Sequence, residues 1–390
     1  MTLNALVSKY LYNIQTIQLA GFFVALIISY SLTPLIQARA HKLGLLDKPS
    51  VRKLHVKPIP RLGGVSIYAS LILTTLFFIT VYWKYRTTLP AGTFTLLGIF
   101  AGGTVIFFLG LLDDIEPVPA KIKLLMQIFA ASIAWFLGVR ILHLSNPFYH
   151  ADFYFFKLSL GSSSIYFSPL VSYLITLAWI IIITNAVNLV DGMDGLATGV
   201  SLVSAIAIWA VSVDYRISQP AGALMAATLS GALLGFLRWN FNPARIFLGD
   251  SGAYLTGFVL AALTVSCVTK KVALAVMAPV AVLIFALPIG DVFYAIVRRI
   301  LSGRPILEPD KEHLHHRVLS SGISQKMASY ILYFISAALG LLATYLISCK
   351  SSVRFLMLAA GLFFIVMFYV CIINWKHQKL FRNIFMKGKN

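Results

Sequence analysis

Acidic residues are scarce in this chain, and where they occur they are gathered. The 390 residues include 32 Lys and Arg but only 13 Asp and Glu. Eight of those acids occupy five short segments at the edges of apolar runs: Asp113-Asp114, Asp191 with Asp194, Asp250, Asp291, and Asp310 with Glu312. A bare carboxylate beside lipid-like sequence is costly, so such a cluster requires a partner, and a cation that also binds phosphate suits hard oxygen donors. Asp113 and Asp114 are adjacent like charges that metal or protonation would relieve. One can act as general base toward a phosphate or hydroxyl while the other positions it or the metal; a solvated loop is the plain alternative.

More specific is the run Asn185-Ala-Val-Asn188-Leu-Val-Asp191-Gly-Met-Asp194-Gly195. If the helix persists, Asn188, Asp191 and position 195 share a face, and Asp191 and Asp194 are neighbours. Helix capping would need one such residue, not four. Gly192 and Gly195 leave room for a ligand or a neighbouring backbone. The segment Trp239-Asn240-Phe241-Asn242-Pro243-Ala-Arg245-Ile-Phe247-Leu-Gly249-Asp250 opens another apolar run. Here Asp250 either caps the N-terminus of its own helix or ligates Mg²⁺, which takes one or two protein oxygens and completes its shell with water and substrate phosphate. Phe247 either stacks on a nucleobase or packs at the bilayer interface. His313-Leu-His315-His316-Arg317 groups imidazoles and a guanidinium suited to pyrophosphate oxygens; zinc is disfavoured, because the His spacing lacks zinc-site geometry and no Cys is near. Between Lys53 and Gly64, Lys57 and Arg61 accompany prolines and a glycine pair, which either hold a phosphate or mark only a cytoplasmic flank. The basic run from Lys376 to Lys389 suits anionic lipid head groups.

The elements that must position these residues follow from composition. With 59% apolar and 12% charged residues, the chain is excluded from the soluble globular, disordered and disulfide-scaffold classes. Apolar runs near 17–37, 63–83, 92–112, 123–142, 170–187, 196–213, 221–237, 252–269, 272–290, 328–348 and 354–374 predict eleven membrane helices, all-α and polytopic, in one transmembrane domain over 1–390. Helices follow, and a barrel does not, because the runs are continuously apolar. Ala38-Arg39-Ala40 follows a run too long for a cleaved leader, which reads as a retained helix. Of the 32 Lys and Arg, 22 fall on the side of the C-terminal tail, so the positive-inside bias puts the C-terminus in the cytoplasm and the N-terminus outside. That topology puts 11 of the 13 acids on the cytoplasmic side. The charge of +19 thus sets orientation and meets phosphate; no nucleic-acid partner is expected. Cys267, Cys349 and Cys371 lack metal or disulfide spacing and are expected as small buried hydrophobes.

In order and spacing, Asp113-Asp114, Asn185 to Gly195, Phe247-Leu-Gly249-Asp250 and His313-Leu-His315-His316-Arg317 resemble the polyprenyl-phosphate N-acetylhexosamine-1-phosphate transferase family over nearly the whole chain. The resemblance implies transfer of an amino-sugar phosphate from a UDP-sugar to a polyprenyl phosphate, with release of UMP. It makes Asp250 a Mg²⁺ ligand with Asn188 as the second, and Mn²⁺ as the substitute ion. Asp113 or Asp114 becomes the base toward the lipid phosphate, with Asp191 next to the reaction centre. Asp194, Asn240 and Phe247 would face the uridine, while Lys121, His313, His315, His316 and Arg317, with Lys57, would hold the diphosphate. The His loop and the eleven spans resemble the branch that uses UDP-N-acetylglucosamine and undecaprenyl phosphate in the bacterial inner membrane, at the start of O-antigen, common-antigen or wall teichoic acid synthesis. The peptidoglycan branch, phospho-N-acetylmuramoyl-pentapeptide transferase, is the alternative. Membrane lipids are expected partners, and a homodimer is compatible with the sequence. A transporter is the rival class, but its polar residues would lie near the bilayer midplane and not at helix ends on one side.

Overall fold

The computed structural model describes residues 14–47, 58–85, 93–145, 164–213, 219–268, 285, 289 and 323–348. Its helices are α1 (Ile14–Leu43), α2 (Gly63–Tyr85), α3 (Thr93–Ile115), α4 (Ala120–Phe136), α5 (Pro169–Val190), α6 (Leu196–Val213), α7 (Pro220–Asn240), α8 (Gly249–Leu263, continued by a π-helical turn Thr264–Val268) and α9 (Gln325–Ser348). Two short antiparallel hairpins complete the architecture, β1 (Leu46–Asp47) with β2 (Ile59–Pro60) and β3 (His143–Ser145) with β4 (Ser164–Tyr166). The protein is all-α and polytopic: among the described residues seven helices are long and apolar enough to cross a bilayer, and α2 adds the shorter apolar stretch Gly63–Phe78. Eight of the eleven expected spans begin α1 to α8 and a ninth is α9; the run at 354–374 and nearly all of 272–290 lie outside the described residues.

Two boundaries differ from expectation for local reasons. The run at 123–142 is helical only to Phe136, because Gly138 adopts a positive φ of 102° and its N–H turns back to the Trp135 carbonyl. The Asn185 helix does not persist to position 195. It ends at Val190, where the Asp191 N–H bonds to the Asn188 carbonyl and the Gly192 N–H to Val190, so the i to i−4 ladder is broken and the two acids sit in a turn before α6.

Large apolar side chains point outward, such as Phe23 at 56% exposure and Phe334 at 76%. That is a heavy liability in water and none against lipid tails, where close packing and hydrogen bonds hold helices together. Small residues provide the packing. A Cβ at Gly231 or Gly235 of α7 would collide with the Phe22 or Leu26 carbonyl of α1, so these two glycines, one turn apart, let the backbones touch. At the centre stands α8, which packs on α2, α3, α5, α6 and α7 and in which every residue except Asp250 is buried. A helix this enclosed is a rigid mount, and its one uncovered residue is an acid at its first turn.

Candidate active site

Three helix ends and one loop converge on the start of α8. The loop 241–248 runs beside the segment that opens α2: the Phe247 N–H bonds to the Pro60 carbonyl at 2.8 Å, and the N–H groups of Gly63 and Gly64 bond to the Phe247 and Leu248 carbonyls at 3.0 and 2.9 Å. Gly249 carries φ +74°, and a Cβ there would press on the Asp114 carboxylate at 2.6 Å, so a left-handed, side-chain-free residue is what allows the loop to turn into the helix. Gly110 of α3 has the Ser251 Cα 2.5 Å from where its own Cβ would be. The last turns of α3 and the first turn of α8 therefore meet backbone to backbone.

That contact separates the roles of the two adjacent carboxylates. The Asp114 Oδ1 accepts the Asp250 N–H at 2.8 Å, while its Oδ2 accepts the Ser251 N–H at 3.0 Å and the Ser251 hydroxyl at 2.6 Å. It thus satisfies the open donors of α8 and opposes the positive end of the helix dipole, an N-cap supplied by a different helix. Leu248, at the cap position itself, makes no side-chain bond, and Asp250 is released from capping its own helix. Asp113 has different partners: its Oδ1 accepts the Val118 N–H at 2.8 Å, and its Oδ2 forms an ion pair with Lys123. Its carboxyl also lies within hydrogen-bonding reach of Asp250.

Asn188, in the last turn of α5, donates from Nδ2 to the Asp250 Oδ1 at 2.6 Å. One turn earlier Asn185 forms a reciprocal amide pair with Gln127 of α4, Nδ2 to Oε1 at 2.7 Å and Nε2 to Oδ1 at 3.3 Å. Lys123 and Gln127 on α4, and Asn185 and Asn188 on α5, are thus stacked on facing sides at helical spacing. Asp191 follows as the residue after α5. It keeps part of its surface exposed, but its carboxyl is enclosed. Loss of water, and then the negative charges of Asp250 and Asp114, hold it well above the usual carboxylate range, while Arg61 pulls it down. The Tyr254 hydroxyl, one turn into α8, lies in the field of Asp250, Asp113 and Asp114.

Asp113, Asp114, Asp191, Asn188 and Asp250 thus lie together at the start of α8. Asp194 lies one turn of chain away, its Oδ2 accepting from the Asn242 Nδ2 and the Ala244 N–H, both at 3.0 Å. Asn240 is 2% exposed; it donates to the Ile246 carbonyl at 3.0 Å and accepts from the Thr198 hydroxyl at 2.7 Å. Both side chains thus anchor the 241–248 loop. Phe247 is half-buried in that loop, and Lys121 is exposed on α4. Lys57, His313, His315, His316 and Arg317 lie outside the described residues. Sequence reading passed over Lys123 in favour of Lys121, and over Gln127 and Ser251. The first could have been found from helical phase, since Lys123 and Gln127 are four apart and so share a face.

The donor set fits a hard divalent cation. Among the described residues no three His, Cys, Asp or Glu side chains form a closed metal cage. Mg²⁺ does not need one: it takes one or two protein oxygens, and the Asp250 oxygen not bonded to Asn188, with the Asn188 Oδ1, would supply them.

The chain matches the model of glycosyl transferase family 4 over residues 96–268, the stretch that contains this cluster. It is 35% identical over 322 residues to the probable undecaprenyl-phosphate N-acetylglucosaminyl 1-phosphate transferase of Bacillus subtilis (strain 168), covering 81% of each chain. It is 35% identical over 332 residues to the decaprenyl-phosphate N-acetylglucosaminephosphotransferase of Mycobacterium tuberculosis (strain H37Rv), covering 79% of this chain and 77% of that one. To the undecaprenyl-phosphate alpha-N-acetylglucosaminyl 1-phosphate transferase of Escherichia coli (strain K12) the identity is 30% over 315 residues, 78% of each.

Proposed function

The chain belongs to glycosyl transferase family 4, and from that premise we propose that it transfers N-acetylglucosamine 1-phosphate from UDP-N-acetylglucosamine to undecaprenyl phosphate. The products would be undecaprenyl-diphospho-N-acetylglucosamine and UMP, the first membrane step of a cell-envelope polysaccharide. The relatives' names support the acceptor class and the sugar. The observation that carries the reading is the convergence of Asp113, Asp191, Asp250, Asn188 and Lys123 at one end of α3, α4, α5 and α8. A soluble nucleotide sugar and a lipid-bound phosphate can meet only at a membrane interface. The positive-inside bias supports the cytoplasmic side as that interface, which in this reading is the inner membrane of a bacterium.

The reaction is an in-line displacement. An oxygen of the lipid phosphate attacks the β-phosphorus of the UDP-sugar, and the bond from that phosphorus to the oxygen bridging to UMP breaks, so that UMP leaves with the electron pair. Asp250 and Asn188 would hold Mg²⁺, whose contribution is to offset the charge of the two phosphates. Asp114, committed to α8 through both oxygens, holds Asp250 in place. Asp113, whose Oδ2 faces Lys123 and whose carboxyl lies within reach of Asp250 instead of binding backbone donors of α8, is the member of the pair assigned to the lipid phosphate in this reading, with Lys123 compensating its charge. Asp191, whose carboxyl is held above the usual carboxylate range by burial and by the neighbouring Asp250 and Asp114 charges, stands next to the reaction centre. His313, His315, His316, Arg317 and Lys57 supply further donors to the diphosphate in this reading.

The test is to incubate purified protein with undecaprenyl phosphate and Mg²⁺, offering UDP-N-acetylglucosamine or UDP-N-acetylmuramoyl-pentapeptide separately, and to follow UMP. Turnover of the first alone is expected. Turnover of the second alone would move the chain to the peptidoglycan branch, and UMP from neither would overturn the enzyme reading.

A further inference from the structure

The structure assigns Arg61 a role as a further substrate-binding residue: a guanidinium oriented by the buried Asp47, with donors left over for a phosphate oxygen of one of the two anionic substrates. Its Nη2 meets the Asp47 Oδ1 at 2.9 Å. The two side chains differ in exposure, 38% for Arg61 and 8% for Asp47. The carboxylate is thus sunk in the protein as an anchor while the guanidinium stays open. An Arg side chain has five N–H donors in a planar fork. Among the described residues Asp47 is the one hydrogen-bond or ion-pair partner of Arg61, so toward those residues most of that fork is unspent.

Its position places those donors at the site. Arg61 lies between Pro60 and Gly63, whose backbones are bonded to Phe247 on either side of it, and a Cβ at Gly249 would collide with the Arg61 carbonyl. The residue therefore abuts the one directly before Asp250. Its charge is also felt at Asp191, the only cation among the principal influences on that carboxyl. An arginine that served only to set topology would need its charge on the cytoplasmic side and not a buried carboxylate beside it. Such a partner holds the side chain in one conformation, so that less rotamer freedom remains to be lost when a phosphate binds. The ion pair also joins β1 to the turn after β2. A segment of the sequence that was equally consistent with a phosphate contact and a cytoplasmic flank thus contains one residue built for the former.

This assignment rests on the phosphoryl-transfer reading. Wild type, Arg61→Gln, Arg61→Lys and Asp47→Asn proteins are purified and UMP release is followed while UDP-N-acetylglucosamine and undecaprenyl phosphate are varied in turn; thermal unfolding is recorded in parallel. Loss of a charge-assisted hydrogen bond should raise the KM for at least one substrate by about tenfold or more in Arg61→Gln. Tm should hold within about 2 °C, since an ion pair this open contributes little to stability. Arg61→Lys, which keeps the charge and loses the fork, should recover part of the loss, and Asp47→Asn should fall between wild type and Arg61→Gln. The substrate whose KM moves identifies the phosphate, lipid or nucleotide. If neither KM changes by more than about twofold while kcat and Tm fall together in Arg61→Gln and Asp47→Asn, the pair is a clamp of the hairpin and the assignment is overturned. Should Arg61→Gln fail to fold, Arg61→Lys carries the same comparison. Absence of UMP from the wild type refutes the transferase reading and this assignment with it, and is distinct from turnover that is indifferent to Arg61.

Discussion

Asp114 and Asp250 touch, yet the bonds they make predict different consequences when each is lost. Asp250 is linked through one oxygen to Asn188 and is the uncovered residue of α8. Asp250→Ala should therefore abolish UMP release while leaving Tm near that of wild type, and near-normal turnover would refute its role. A ligand that binds only the folded state raises Tm, so Mg²⁺ should stabilise the wild type and should not stabilise Asp250→Ala. Asp114 is bonded to two N–H groups and a hydroxyl at the start of α8. Asp114→Ala should cost about 2 kcal/mol of stability, the scale of a lost N-cap with charge-assisted bonds. Asp113→Ala should lose activity with a smaller fall in Tm. The converse pattern in thermal unfolding would reverse the two assignments.

At the scale of elements the site depends on how α3, α4, α5 and α8 are held against one another. Gln127 and Asn185 satisfy each other across α4 and α5. Replacing one by Leu leaves a buried amide without its partner, at about 1–3 kcal/mol. The double replacement Gln127→Leu with Asn185→Leu should cost less than the sum of the singles in a double-mutant cycle read by thermal unfolding; simple additivity would show that the pair is not coupled. Gly64 of α2 meets the same helix start, since its Cβ would lie 2.5 Å from the Ser251 Oγ. Gly64→Ala must displace the first turn of α8, so kcat should fall by about tenfold or more, the penalty for a misplaced group near reacting atoms, and wild-type kinetics would contradict that dependence.

For the molecule as a whole, orientation is the property that turns a cluster of acids into an interfacial enzyme. Glu116 is exposed just after α3, at the carboxylate end, and Tyr166 is exposed on the β3–β4 hairpin before α5. In a background without Cys267, Cys349 and Cys371, a cysteine in place of Glu116 should react with an impermeant thiol reagent only in inverted vesicles, and one in place of Tyr166 only in intact cells. The opposite pattern would invert the topology and move the site to the outer face.

Hydropathy alone located nine helices, α1 to α9, because a bilayer demands long apolar runs and lets few other patterns persist. Scarcity of acid also drew attention to Asp113, Asp114, Asp191 and Asp250, which the packed helices place near one another, since an ionisable group beside lipid is costly. Other features depend on contacts between residues far apart in the chain. That Asp114 caps α8 while Asp113 pairs with Lys123 follows from the close approach of Gly110 to Ser251, 141 positions on; two adjacent Asp residues are chemically alike in sequence and differ only in what the packed helices bring to each. The same holds for Asp194 and Asn240, whose side chains bind the 241–248 loop, and for Arg61, whose orientation is set by Asp47 across a hairpin. Sequence determined which residues would gather at the membrane edge, through the cost of charge in lipid; tertiary structure decided which protein group holds each of them, because hydrogen-bond partners are chosen by distance in space.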